Sequence, residues 1–244
     1  MDVQKEPIKL KATDKRVQPC GEGDSPKVND SWLHLEVAEE ENFNKKVHAL
    51  IRSIASKQDF PSVNNFYAES VHCRTNLAKY FNALFWSKPK VIFIGEAPGV
   101  RGCALTGTPF TSERILRGGR LNRHFPRTSF YVEGNSYEGS AHYFWETIDL
   151  MTAPPVLWNV FPLHPYKIVQ GVMKNRTPKS AEKKWGREIL QQVMDLFPNV
   201  QVVSVGNNAK DACATLGIIT TGHIIHPAYH ANEFREQMRS FITG

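Results

Sequence analysis

The chain has 244 residues, a formal net charge of +6 and a sequence pI of about 9.1, which is compatible with a polyanionic partner but does not require one. Its length suits one α/β domain, alone or with a tail, and no run approaches the roughly 18 apolar residues of a membrane span. The four scattered cysteines (Cys20, Cys73, Cys103 and Cys213) form no C-x-x-C pair, so free thiols in a reducing, intracellular compartment are expected.

Residues 1–29 are polar and charged, include Pro7, Pro19 and Pro26, and lack the apolar segment of a secretory leader. They read as a mobile tail ahead of a single domain over 30–244. A helix is predicted from Asp30 or Ser31 to about Lys57, with Val37, Val47, Leu50, Ile51 and Ile54 as its buried stripe. Phe60 to Tyr67 reads as a loop. A second helix, from about Thr75 to Trp86, turns Leu77, Tyr80, Phe81 and Leu84 inward.

Val91 to Ile94 is short, mostly β-branched and preceded by Pro89, so it reads as a buried strand. Gly95, Pro98, Gly99 and Gly102 then impose a loop at the strand's carboxyl end, the place where open α/β sheets bind ligands. Glu96 stands there, either in solvent on a plain connection or with the loop backbone wrapped around it. Phe110 closes the same loop. Neither G-x-G-x-x-G nor a P-loop Gly-Lys-Ser/Thr is present.

Thr111 or Ser112 can cap a short helix ending at Gly118-Gly119. The arginines Arg114, Arg117, Arg120, Arg123 and Arg127 form either a solvated face or a strip of phosphate contacts. Ala141 to Met151 reads as a helix burying Phe144, Trp145, Ile148 and Met151, stopped by Pro154-Pro155. A second strand, Val156 to Val160, carries Asn159, which either caps a turn or meets a ligand. His164 to Arg176 reads as a loop with Lys167, Lys174 and Arg176. Thr177-Pro178 opens a helix with Thr177 as its cap and Trp185, Ile189, Val193 and Phe197 as its buried stripe.

Val200 to Val205 is a third strand, and Gly206-Asn207-Asn208 leads into a helix ended near Leu216 by Gly217. A fourth strand, His223 to Ile225, delivers His226, Pro227, Ala228 and Tyr229 to the edge that holds Glu96 and Asn159. A helix from Asn232 to Phe241 closes the chain. This alternation argues for a doubly wound, largely parallel sheet. Glu96, Asn159 and His226 all fall at strand carboxyl ends.

The run Gly95-Glu96-Ala97-Pro98-Gly99, followed by Gly107-x-Pro109-Phe110, resembles the first active-site motif of the uracil-DNA glycosylase superfamily. It is closest to the branch that uses Glu where others use Asp or Asn. Leu157 to Pro165 resembles the segment in which a strand-end Asn reads the uracil edge, and His226-Pro227 resembles the His-Pro-Ser motif with Ala228 in place of Ser. Arg74, Asn76 and Leu77 loosely match a family Arg-x-Asn-Leu helix.

The resemblance implies an α/β fold, a three-layer α/β/α sandwich with a central, mainly parallel four-stranded sheet. It implies a monomeric, monofunctional glycosylase that removes uracil from single- or double-stranded DNA in base-excision repair. Glu96 would orient the attacking water and His226 would donate to uracil O2. Gly95, Ala97, Pro98, Gly99, Phe110 and Asn159 would hold the base. Arg101, Arg114, Arg117, Arg120, Lys167, Arg176, Pro227, Ala228 and Tyr229 would contact DNA. One Asn amide offers a donor and an acceptor, matching uracil O4 and N3–H, whereas cytosine presents the reverse.

The Glu-type branch usually holds an iron–sulfur cluster, but its cysteine spacing is missing, so no metal or cofactor is expected. Ala97 replaces the water-activating residue of the Asp branches, and Ala228 removes a hydroxyl expected to touch phosphate. Tyr229 either intercalates or fills space. Three other readings stay open: the same fold excising hypoxanthine, xanthine or thymine, a non-catalytic reader of damaged DNA, and a nucleotide-binding α/β protein unrelated to DNA.

Overall fold

The computed structural model describes residues 31–228 and 230–243; the predicted tail over 1–29 and the residue Tyr229 lie outside them. In chain order the elements are α1 (Ser31–Ala55), β1 (Val63–Asn64), α2 (Phe66–Glu69), α3 (Val71–Ser87), β2 (Val91–Gly95) and α4 (Cys103–Thr106). There follow α5 (Glu113–Arg117), α6 (Arg120–His124), α7 (Gly139–Ile148), β3 (Val156–Asn159), β4 (His164–Val169) and β5 (Val172–Asn175). The last five are α8 (Ser180–Leu196), β6 (Gln201–Val205), α9 (Asn207–Thr215), β7 (Gly222–Ile224) and α10 (Ala231–Thr243).

Strands β3, β2, β6 and β7 pair in that order, all parallel. Every residue of β2 and β3 is buried, as expected of strands covered on both faces. On one face Phe81 of α3 meets Trp158 of β3 at 5.5 Å between ring centroids, and α1 packs on α3 and α8. On the other, Phe93 of β2 lies 5.3 Å from Phe144 of α7 and 5.5 Å from Phe241 of α10. The result is an α/β fold, a four-stranded parallel sheet between two helical layers. Chain order reverses at β2, with β3 on one side and β6 on the other, so the crevice of a doubly wound sheet opens at its carboxyl end.

Several local expectations change. Val37 is 49% exposed, and Phe43 takes its place in the stripe of α1. Helix α3 begins at Val71, four residues earlier than the periodicity indicated, because Ser70 caps it by accepting from Cys73 N–H at 3.2 Å. The supposed loop Phe60–Tyr67 contains β1 and the start of α2. Helix α8 starts at Ser180 rather than at Thr177, since the buried Glu182 carboxylate accepts from Lys179 N–H at 2.7 Å.

The largest change is His164–Arg176, read as a loop. It is a β-hairpin, with β1, β4 and β5 forming a second, antiparallel sheet. Its two-residue turn places both Gln170 (φ 51) and Gly171 (φ 75) in the left-handed region, as a type I′ turn requires. Among the described residues no helix is long and apolar enough to cross a membrane.

Candidate active site

Three strand ends converge on one cleft of about 750 Å³. Glu96 follows β2, Asn159 ends β3, and His226 lies two residues beyond β7. Gly95 and Asn159 are register partners across β2 and β3. A Cβ on Gly95 would lie 2.6 Å from Asn159 Oδ1 and 2.7 Å from Phe110 Cζ, so the missing side chain is what lets the amide and the ring close over the strand end. Phe110 itself has φ 54, an unusual conformation for a bulky residue. Its carbonyl accepts from Trp145 Nε1–H at 2.9 Å, and its ring packs 4.8 Å from Phe144. Those contacts fix the apolar floor of the cleft.

Backbone bonds fix Glu96, as Val160 N–H donates to Gly95 O at 2.8 Å and Phe161 N–H to Glu96 O at 3.0 Å. The carboxylate Oε2 accepts from Asn208 Nδ2 at 3.0 Å, at the amino end of α9 where the helix dipole favours negative charge. Its Oε1 is buried without a hydrogen-bond partner among the described residues. The following turn is held from below by buried His164, whose Nδ1–H donates to Pro98 O at 2.9 Å, and burial holds this imidazole's pKa below its usual value.

His226 packs over Gly206, where a Cβ would come within 2.9 Å of the histidine's own Cβ. Surrounding protein lowers its pKa from the ordinary 6.5, although its outer side remains open to the cleft. Ala228 N–H donates to Nδ1 at 3.2 Å. With Nδ1 an acceptor, the proton of the neutral ring sits on Nε2, which becomes a hydrogen-bond donor. The Asn159 amide, 5% exposed, makes no hydrogen bond with the described residues, so both of its polar ends are free.

Glu138 is the principal residue that sequence reasoning missed. It reaches into the cleft from the residue before α7, and its carboxyl occupies space that side chains on Gly99 and Gly102 would fill. A Cβ on Gly99 would lie 2.5 Å from its Oε1. Burial pushes its pKa up to about 7, against the lowering effect of a hydrogen bond with Ser140. Two glycines in the loop were visible in the sequence, but nothing local named the group they accommodate. Asn208 and Asn175, which also line the cleft, carried no signal beyond a turn and a loop.

The expected cleft residues Gly95, Glu96, Ala97, Pro98, Gly99, Phe110, Asn159, Lys167, Arg176, His226 and Ala228 all line it. The arginines divide. The Arg176 guanidinium is engaged within the protein. It grips Glu182 with two bonds of 2.7 Å and donates to the carbonyls of Tyr166, Thr177 and Ser62. Arg117 donates to Gly134 O at 2.7 Å, Arg114 lies over the Tyr137 ring at 5.2 Å, and Arg120 Nη1 is buried without a partner among the described residues. Arg101 is exposed outside the cleft lining, and Pro227 is buried. Cys73, Cys103 and Cys213 are buried free thiols, and among the described residues no three metal-ligating side chains come together.

The parallel sheet thus carries a carboxylate, an amide and an imidazole at its carboxyl edge, above an aromatic floor. The model of the uracil DNA glycosylase superfamily matches residues 84–242, and the chain belongs to that superfamily. Membership supports a DNA glycosylase, a hydrolase whose partner is DNA. Among solved structures, the crystal structure of wild-type SMUG2 from Pedobacter heparinus is similar in fold, with a TM-score of 0.58 and 19% identity. That likeness covers 82% of this chain and 96% of the other. No curated protein matches the chain.

Proposed function

We propose that the protein is a monofunctional uracil-DNA glycosylase, which hydrolyses the bond between uracil and deoxyribose and leaves an abasic site. The observation that carries this reading is the convergence of Glu96, Asn159 and His226 on one cleft floored by Phe110. The target nucleotide leaves the stack at a cost of about a few kcal/mol and lies on the Phe110 ring. As the glycosidic bond breaks, its electron pair goes to the base. His226 Nε2–H donates to uracil O2, where negative charge develops, and one such placed donor contributes about 2.7–4 kcal/mol. Glu96 orients water towards the sugar carbon through its unpartnered Oε1, and its charge stabilises the cationic sugar. Asn159 presents an acceptor to N3–H and a donor to O4.

The free Asn159 amide favours a second reading, in which the same machinery removes another damaged or mismatched base. An amide free to flip satisfies either donor–acceptor order. The deciding experiment incubates the protein with labelled oligonucleotides carrying one uracil, hypoxanthine, xanthine or mismatched thymine, single- and double-stranded, followed by alkali. Cleavage at uracil that Glu96→Gln abolishes supports the proposal. Cleavage only at another base moves the assignment to that base, and uracil cleavage untouched by Glu96→Gln overturns the mechanism.

A further inference from the structure

The β4–β5 ribbon has a composition that folding does not explain. From Tyr166 onward it stands as two strands, because β1 pairs only with His164 and Pro165. Its base is tied down. Arg176 Nε–H donates to Tyr166 O at 3.1 Å, and Asn175 Oδ1 accepts from Val100 N–H at 3.3 Å, beside the Glu96 loop. Its tip is free, yet Ile168, Val169 and Val172 are 59%, 42% and 53% exposed. Other large exposed apolar side chains of the described residues are spread over the chain; here three fall within five residues.

The lysines of the ribbon carry a second signal. Lys167 and Lys174 are direct cross-strand partners, and both are exposed. Like charges facing each other across a ribbon are destabilising unless something neutralises them. Among the described residues neither lysine has an acidic partner. Lys167 also lines the mouth of the cleft, so an anion between the two lysines would be continuous with whatever the cleft holds.

We infer that the β4–β5 ribbon is a DNA-engaging arm: its apolar tip packs into the duplex beside the extruded nucleotide while Lys167 and Lys174 neutralise the flanking phosphates. This rests on the reading of the cleft as a nucleotide site. Strands rise about 3.3 Å per residue, so the tip at Gln170 lies up to about 10 Å beyond Lys167. That spans about three base steps at roughly 3.4 Å each. Apolar side chains inserted at base steps support unstacked DNA, and the gap left by an extruded nucleotide is such a step. The left-handed Gln170-Gly171 turn keeps the arm narrow, with Val169 and Val172 as its closing pair.

The test uses fluorescence anisotropy with the full chain and a labelled duplex holding a tetrahydrofuran abasic analogue, which needs no base to be recognised. Wild-type protein is compared with an Ile168→Ser/Val169→Ser/Val172→Ser triple variant and a Lys167→Ala/Lys174→Ala double variant across a salt series. The triple variant is expected to weaken duplex binding by about tenfold or more at an unchanged salt slope, as buried apolar contacts predict. The double variant should lower the slope of log affinity against log salt by about 1.8, two phosphates at roughly 0.9 each. Both should melt like the wild type, since the tip supports no core. If both bind with wild-type affinity and slope, the arm is refuted while the glycosylase reading stands. Wild-type protein that binds no DNA removes both. A concentration-dependent dimer that the triple variant loses, with DNA binding intact, assigns the tip to a second copy and overturns the proposal.

Discussion

The carboxyl edge of the parallel sheet and the β4–β5 ribbon border the same cleft but are built on opposite terms. At the sheet edge the candidate site side chains are packed closely against the backbone around them. Gly95 gives way to Phe110 and Asn159, Gly206 to His226, and Gly99 with Gly102 to Glu138. The ribbon is anchored only at its base and exposes apolar side chains at its tip. A reacting atom needs its geometry fixed before substrate arrives, whereas a surface that follows a bent polymer gains from compliance. On the proposed reading, rigid placement serves the chemistry and the free arm the docking.

That contrast can be broken first at the junction of the two regions. Arg176→Ala strands the Glu182 carboxylate, whose side chain is 2% exposed, and breaking such a buried pair costs up to about 3–5 kcal/mol. A large fall in thermal midpoint is expected, together with an unchanged salt slope of DNA binding. A lowered slope with intact stability would return Arg176 to the phosphate contacts.

Removing a group from the rigid edge should leave the scaffold standing. His226→Ala is expected to slow single-turnover base release by about 10²–10³-fold with an unchanged melting curve, as for loss of one placed donor. Loss of stability in step with activity would make the histidine structural. Crowding the edge is subtler. Gly95→Ala drives a methyl into Asn159 and Phe110, and such overpacking costs about 1–3 kcal/mol. Denaturant unfolding reads that cost, and a rise in KM larger than the fall in kcat would show that the base seat has moved.

The smallest effect is a slope. Glu138 has its pKa raised to about 7 in the folded protein from an ordinary 4.5, so the native state binds the extra proton between those values. Its contribution to stability is full below the lower value and is lost as pH rises through the higher one. Glu138→Gln removes that titration. The difference in thermal midpoint between variant and wild type should therefore grow from pH 5 to pH 8, in favour of the variant. A constant difference would place the carboxyl in water rather than against Gly99 and Gly102.

Much of the fold was legible because parallel strands buried on both faces leave largely apolar runs: Val91–Ile94 is unbroken, and Val156–Val160 and Val200–Val205 are interrupted only by Asn159 and by Gln201 and Ser204. The site was legible as far as its residues end strands, because the carboxyl edge of a doubly wound sheet is fixed by topology. Glu96, Asn159 and His226 were placed beside one another in that way, and Phe110 through the loop it closes; all four line one cleft. The hairpin was not, since Gln170-Gly171 lacks the Asn-Gly or Asp-Gly signature of a two-residue turn.

By itself, then, the sequence determined the four strands of the parallel sheet, their order along the chain and the polar residues that follow them, all set by periodicity and turn chemistry over a few neighbours. Only the tertiary structure decided what each charged group meets. Arg176 was drawn from solvent to Glu182, Glu138 was brought across from another loop into the cleft, and three apolar residues were left uncovered on an arm beside it. The physical reason is range. Backbone preference acts between adjacent residues, but the partner of a carboxylate or a guanidinium is chosen by segments that become neighbours only when the chain has folded.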